Sequence, residues 1–573
     1  MRWPHETAHP TSTTRKNIRN LNKMAPTSAL SIDADCEAHE NGDSDCDKAS
    51  EQEGQPMPGK RGKARRITRR NLFEATAGTA LALPLVGIKN NAVGAEVRSD
   101  RVRQENALPG TSDWMLTRPI VDEDNSNRSS RIEGFCSKPS VRPGESLDLK
   151  VSTRPASTFS VDIYRLGYYQ GKGGRHMATL GPFRGSPQAI PPVGEQRLRE
   201  CDWEVATQLK IPSDWLSGVY VGKLSAEKEG AQSYVIFIVR DDRACDFLFQ
   251  VSDATWLAYN LWPGGYSLYN DGKHPQAYCG PGVEVSWDRP YAWNWHGHRA
   301  PLTLGSGEFF LWEYPLAYWM EKEGYDVSYI STLDTHTDRQ GLRRGRSFLS
   351  VGHDEYWSLA MFDNVRQAVD AGMNAAFFSG DTCWCVVPFL PGVGGAKHRK
   401  ITRQGLFGPL SDEAETPEAL AECLARYPGT KQLPTLAPSE GLLIGARNVY
   451  PYMGIADWIC RDPDHWMYDG TGMQMGERIS GLIGWEWNSG PADVPGLCVV
   501  ASGKVSDGLG GDGHYHATIY PGKKENWVFN ASTWWWWDGL AIPPGHYRVT
   551  DQLKGPDPRV LRMTRNVFAK FLA

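Results

Sequence analysis

The stretch 347-SFLSVGHDEYWSLAMFDNVRQAVDAGMNAAFFS-379 decides the fold. An apolar run, 347–351, discharges at once into His353, Asp354, Glu355 and Tyr356. Ser358 then stands where a helix N-cap is wanted, Phe362, Val365 and Val369 recur at helical spacing, and Gly372 ends the run. A second apolar run, 374–379, follows. Strand, polar exit, amphipathic helix and strand is the repeating unit of a buried, mainly parallel sheet.

The same texture extends on both sides. The segment 246-DFLFQV-251 reads as a strand, 309-FFLWEYPLAYWMEKEG-324 as one helix closed by a glycine, and 325-YDVSYI-330 as another strand. In open sheets of this kind, ligands collect beyond the carboxyl ends of the strands. Four such exits are polar or aromatic: 252-SDATWLAYN-260, 331-STLDTHTD-338, 352-GHDEYW-357 and 380-GDTCWC-385. If the strands are parallel, all four open on one edge. Tyr259, Asp334, His336, His353, Glu355, Tyr356 and Asp381 then surround one crevice.

Residues 126–242 have a different period. The segments 146-SLDLKVST-153 and 159-FSVDIYRLGYY-169 alternate, and 218-GVYVGKLSAE-227 and 232-QSYVIFIVRDD-242 follow Gly/Pro punctuation. That pattern predicts an antiparallel β-sandwich. The chain is thus read as a sandwich at 126–242 followed by an α/β domain at 243–573.

The 573 residues allow about three units at roughly 150 residues each. A net charge of −5 argues against a polyanion, so no nucleic-acid partner is expected. No apolar run approaches the ~20 residues of a membrane span. Residues 1–59 lack an apolar period and are expected to be disordered. The stretch 60–95 orders a basic run, Arg69-Arg70 before Leu72-Phe73, a short apolar segment and small residues, which reads as a twin-arginine export signal. Residues 96–125 read as a polar linker. A periplasmic or extracellular bacterial protein follows from that signal. Two of the eleven cysteines, Cys36 and Cys46, precede it; the odd remainder cannot form a complete disulfide framework and reads mostly as buried thiols.

Several motifs compete for the site. Cys383 suggests a thiol nucleophile, but the small-residue elbow such a cysteine needs is missing around it. His514 and His516 lie in the Gly-rich 507-DGLGGDGHYHAT-518 and could meet a metal. The run 533-TWWWWDG-539 could stack a carbohydrate, yet four consecutive Trp cannot all face one way, so part of it must be core.

Five stretches in this order, 256-WLAYNLW-262, 312-WEYPLAYWMEKEGYDVSY-329, 350-SVGHDEYWS-358, 376-AFFSGDTCW-384 and 462-DPDHWMYDGTG-472, resemble the large (beta) subunit of the N,N-dimethylformamidase family. The segments 131–153 and 162–174 fit as well, so the resemblance covers roughly 110–550. It implies a sandwich followed by a glutamine-amidotransferase-like domain with a mononuclear iron held by two tyrosines and a glutamate, assisted by a His and an Asn. Carried over, Tyr356 matches the second tyrosine. Tyr314 is the first, with Tyr259 as competitor, and the glutamate is Glu440 or, alternatively, Glu486. His353, Glu355 and His465 are the candidate catalytic groups, and Tyr259, Asp381 and Trp384 the candidate substrate contacts. The sequence departs from the family pattern at His-Asp-Glu-Tyr, where His-Pro-Glu-Tyr is expected, and at Gly-Asp-Thr-Cys-Trp. The implied function is an exported iron-dependent hydrolase of a small amide, with a homo-oligomer or a small partner subunit left open. A non-catalytic extracytoplasmic binding protein, its aromatic crevice holding a small molecule or glycan, is the alternative.

Overall fold

A computed structural model of the chain describes residues 100–124, 127–270, 282–293, 300–408, 433–448, 454–506, 512–548 and 555–573. The expected disordered extension, the export signal and the start of the linker lie outside these residues, as do 507–511 of the Gly-rich loop. The rest of that linker is not a loose tether. Helix Arg101–Asn106 buries Val102, and Trp114, wholly buried, stacks on Phe310 at 5.3 Å. Isolated apolar residues in a polar segment give no period to read, so the sequence hid this packing.

The alternating segments form two facing sheets. Strands Ser140–Val141, Gln232–Val239, Gly218–Ala226, Ser157–Leu166 and Gly174–Gly185 make a five-stranded sheet in that order. Glu133–Cys136, Ser146–Ser152 and Thr207–Lys210 make a three-stranded one. Leu147, Leu149, Val161, Ile163, Tyr220, Val235 and Phe237 fill the space between them.

The second region is built on a seven-stranded sheet. In chain order its strands are β1 (Cys245–Val251), β2 (Val327–Ser331), β3 (Gly345–His353), β4 (Asn374–Gly380), β5 (Cys498–Ser506), β6 (Asp512–Pro521) and β7 (Trp527–Asn530). They lie in the order β2-β1-β3-β4-β7-β6-β5. The first five of that order are parallel, with β6 and β5 added antiparallel at one edge. The connecting helices are α1 (Asp253–Tyr259), α2 (Phe309–Trp312), α3 (Tyr314–Glu323), α4 (Thr332–Thr337) and α5 (Leu359–Asp370), with α6 (Pro558–Leu572) at the C-terminal end. Ser358 caps α5 as its position suggests, its hydroxyl accepting from the Met361 amide at 3.1 Å.

Both faces of the parallel part are buried, and the period of two divides its residues cleanly. Leu248, Phe348, Ala375, Phe377 and Val528 meet α1 and α5 on one face. Phe247, Phe249, Leu349, Val351, Phe378 and Phe529 face α3 and α6 on the other. That second core continues without a break into the outer face of the five-stranded sheet, through Tyr164, Leu166, Val219, Val221, Tyr234 and Ile236. The expected boundary near residue 242 separates two sheet systems that share one core.

An ion pair fixes the seam. The Arg165 guanidinium from the sandwich grips Glu321 of α3 with two bonds of 2.9 and 2.8 Å, both side chains being fully buried. Asn106 and Tyr329 donate to the same carboxylate at 2.8 and 3.1 Å.

Two sequence-level elements are cut differently. The single helix expected over 309–324 breaks at Glu313, because Pro315 offers no N–H and disfavours helical geometry just before it. The polar exit 331–338 is itself helical, as α4, with Ser331 and Asp334 forming a reciprocal cap.

Candidate functional site

Because β1 to β4 and β7 are parallel, their carboxyl ends share one edge, and the side chains leaving that edge meet at His353. The residue before it, Gly352, has φ +71°, and a Cβ there would lie 2.4 Å from Trp312 Cβ. Only glycine lets β3 turn so close beneath α2. That turn aims the fully buried His353 ring at two carboxylates. Nδ1 lies 3.1 Å from Glu308 Oε2, and Nε2 lies 3.1 Å from Glu355 Oε2. Glu486 Oε2 stands 3.8 Å from Nε2. The Trp534 ring lies against the imidazole with centroids 3.9 Å apart.

Burial pulls the His353 pKa down, but hydrogen bonds to Glu308 and Glu355 and their charges more than offset it and raise it to about 9. At neutral pH the ring is a cation donating from both nitrogens. Glu308 also accepts from Trp312 Nε1 at 2.9 Å, so its carboxylate is fixed before it meets the ring.

Glu355 is the hub of the opposite side. Tyr259 donates to its Oε2 at 2.6 Å and Tyr269 to its Oε1 at 3.2 Å. The Tyr269 and Tyr356 hydroxyls are in direct hydrogen-bond contact. Tyr259 and Tyr269 stack at 5.1 Å and are partly exposed, whereas Tyr356 is wholly buried. Burial raises the Tyr259 and Tyr356 phenols well above their usual range. The Arg403 guanidinium lies 4.4 Å over the Tyr269 ring and opposes that rise at Tyr356.

The β4 and β7 exits supply the third wall. At Gly380 a Cβ would fall 2.2 Å from the Glu486 carbonyl oxygen, so glycine there admits the 484–488 loop. Ser532 and Thr533, following β7, hold that loop by bonds to Asn488 N at 2.8 Å and Gly484 N at 3.1 Å. Asp381 and Cys383 adopt φ +50° and +59°, a region such residues rarely occupy. The result brings the Asp381 and Glu486 carboxyls together. Burial, then mutual repulsion and the charge of Glu355, raises the Glu486 pKa well above the carboxylate range; burial and Glu355 do the same at Asp381.

Among the described residues no group of three or more His, Cys, Asp and Glu side chains has the geometry of a metal site. The phenol oxygens beside His353 are further candidate donors. Tyr269, Tyr356 and Glu355 bring two phenols and a carboxylate to one point, an all-oxygen set that fits a hard, highly charged ion.

The structure thus gathers His353, Glu355, Tyr356, Tyr259, Asp381 and Glu486. It sends Tyr314 elsewhere: that phenol donates to the Gly173 carbonyl at 2.8 Å among Trp114, Phe310 and Tyr318, so the partner of Tyr356 is Tyr269. Glu440 lies behind the β4 turn, accepting from Asn448 N at 2.8 Å, with its pKa raised by burial to about 7. Asn448 in turn donates to the Thr382 carbonyl at 3.0 Å. His465 accepts from Met467 N at 3.2 Å and caps the turn Trp466–Tyr468. Asp334 caps α4 and pairs with Arg240 at 3.0 Å, and His336 bonds Ser358 at 2.7 Å. Trp384 is buried.

The rival motifs settle differently. Burial raises the Cys383 thiol well above its usual pKa, the opposite of an activated nucleophile. Trp534, Trp535, Trp536 and Trp537 are all buried to within 2% exposure, so the run is core and offers no stacking face. His514 and His516 sit on strand β6, the latter bonded to Ser489 at 3.0 Å. The seven described cysteines are free thiols, six of them buried.

Sequence reasoning missed Glu308, Tyr269 and Trp534. The last had a usable signal, because 527-WVFN-530 is a fifth apolar run whose exit leads straight into the tryptophans.

Fold and site define a β-rich chain of several sheets with a buried cluster of acidic and tyrosine side chains at the carboxyl edge of parallel strands. The chain belongs to the family described as N,N-dimethylformamidase beta subunit-like, C-terminal, which matches residues 160–551. No curated protein matches it. One solved structure, a family 123 glycoside hydrolase from Clostridium perfringens, matches with 9% identity over 50% of each chain and a TM-score of 0.10, a likeness that carries no argument.

Proposed function

We propose that the chain is a hydrolase of a small amide-like C–N bond, with Tyr269, Tyr356 and Glu355 as ligands of a mononuclear iron. The observation that carries this reading is the meeting of two phenols and a carboxylate beside a buried, doubly anchored histidine in a chain of this family. When bound, such an ion supplies a Lewis acid that polarises the amide carbonyl. The chain's own residues do the rest. Glu308 holds Nδ1 of His353, leaving a proton at Nε2 on the side of Glu355 and Glu486, from which it can pass to a departing amine nitrogen. Asp381 and Glu486 share a proton, so this pair gives or takes one without leaving two charges buried side by side. Tyr259 and Tyr269, the partly exposed members of the cluster, are the phenols that an entering amide meets first.

The amidotransferase-like description of the parallel-sheet region belongs to the same reading. So do export by the twin-arginine route, supported by the composition of 60–95, and a small partner subunit, supported by the family's description as beta subunit-like. Amine release from N-alkyl formamides by the purified chain tests the chemistry. His353→Gln should lower kcat by about a hundredfold or more, and Glu355→Gln should abolish turnover. Undiminished release in both variants would refute the assignment.

A further inference from the structure

Behind the catalytic edge lies a second polar group that the chemistry above does not use. Gln250 is near the end of β1, Ser252 follows it, Ser350 and Asp354 flank the end of β3, and Glu313 sits at the break between α2 and α3. All five are at 0% exposure. Each carboxylate is satisfied on one side only. Asp354 Oδ2 accepts from Ser350 Oγ at 2.7 Å and Gln250 Nε2 at 2.8 Å, while its Oδ1 has no donor. Glu313 Oε1 accepts from Ser252 N at 2.8 Å and Trp256 Nε1 at 3.1 Å, while its Oε2 has none. The Gln250 amide gives its N–H to Asp354, and its Oε1 also lacks a donor.

Three bare acceptors therefore stand in one buried neighbourhood, tied together by Ser252, whose hydroxyl lies against both carboxyls. No Lys, Arg or His is among the strongest influences on either carboxyl. Burial raises the pKa of both carboxyls, that of Asp354 to about 6 and that of Glu313 well above the usual range, so holding the pair ionised calls for a cation that the surrounding side chains do not supply. An apolar ligand would leave all three oxygens stranded, and full burial denies a substrate amine access. The donor set is oxygen only, with no imidazole, thiolate or phenol, which selects a hard ion over zinc or copper.

We propose that Gln250 Oε1, Glu313 Oε2 and Asp354 Oδ1, supported by the Ser252 and Ser350 hydroxyls, bind a redox-inert hard cation of the Na+, Mg2+ or Ca2+ class. The ion would staple the β1 and β3 exits to the α2–α3 break. Those elements carry Glu308, His353 and Glu355, so the cation would set the backbone on which the catalytic groups stand. The proposal is independent of what the phenol-lined site holds.

The test uses the full chain, stripped with chelator, then titrated separately with NaCl, MgCl2 and CaCl2 while its thermal unfolding is followed. One of the three should give a saturable rise in Tm beyond the matched ionic-strength control. Glu313→Gln should weaken the apparent affinity by about a hundredfold, as loss of a ligand charge does. Gln250→Glu, which keeps an oxygen in place, should retain or tighten binding, whereas a mere packing role for Gln250 would make it destabilising with no cation response. Tyr269→Phe, which removes a phenol from the other site, should leave the cation response intact. The proposal is overturned by a Tm indifferent to all three salts, by a response that survives unchanged in Glu313→Gln, or by one abolished in Tyr269→Phe.

Discussion

Glu308→Gln keeps the shape of the strand edge around His353 and removes one of the two charges that hold the ring. The imidazole titrates near 6.5 when unfolded and at about 9 in the folded chain, burial being outweighed by Glu308 and Glu355. That difference corresponds to about 3 kcal/mol of folding stability for a fully buried group. The folded pKa is the higher one, so the contribution is fully present below about pH 6.5, fades through the following units and is gone above about pH 9. Glu308→Gln should forfeit much of it at low pH and almost none at high pH. Urea unfolding of chelator-treated wild type and variant from about pH 6 to about pH 10 measures this directly. Converging stability curves are expected, with a gap of about 1–3 kcal/mol at the acidic end. Curves that stay parallel would show that Glu308 does not hold the ring as a cation.

Arg165→Met leaves Glu321 buried with only Asn106 and Tyr329 as partners and should cost about 3–5 kcal/mol, read as a fall in the urea midpoint. The double variant Arg165→Met/Glu321→Met should recover much of that loss. Gly380→Ala places a methyl 2.2 Å from the Glu486 carbonyl, so the 484–488 loop must retreat. Amine release should fall by about tenfold or more while far-UV circular dichroism stays native, since reacting groups tolerate little displacement.

The parallel sheet and its common edge were legible because β1 to β4 are short apolar runs separated by helices of clear period, and because ligand-type side chains recur just past each run. His353, Glu355 and Tyr356 lie on such an exit and could be named. Tyr269 and Glu308 could not: one follows a turn after α1 and the other precedes a four-residue helix, positions with no period to read. Tyr314 misled for the opposite reason. It stands in an aromatic helix near the expected spacing, but α3 turns that face toward Trp114 and the sandwich. Which way a helix presents a phenol is decided by what packs on it, and that partner came from a segment that looked like linker. The shared core across residue 242 was equally hidden, because the apolar runs of the five-stranded sheet do not say what buries their outer face, and α2 and α3 lie beyond residue 300 in the chain.

The most direct test of the central claim is the visible spectrum and iron content of the purified protein beside those of Tyr269→Phe. Stoichiometric iron with a phenolate charge-transfer band, diminished or lost in the variant, is the expected result. A colourless wild type without iron, or a band and iron content untouched by Tyr269→Phe, would contradict it.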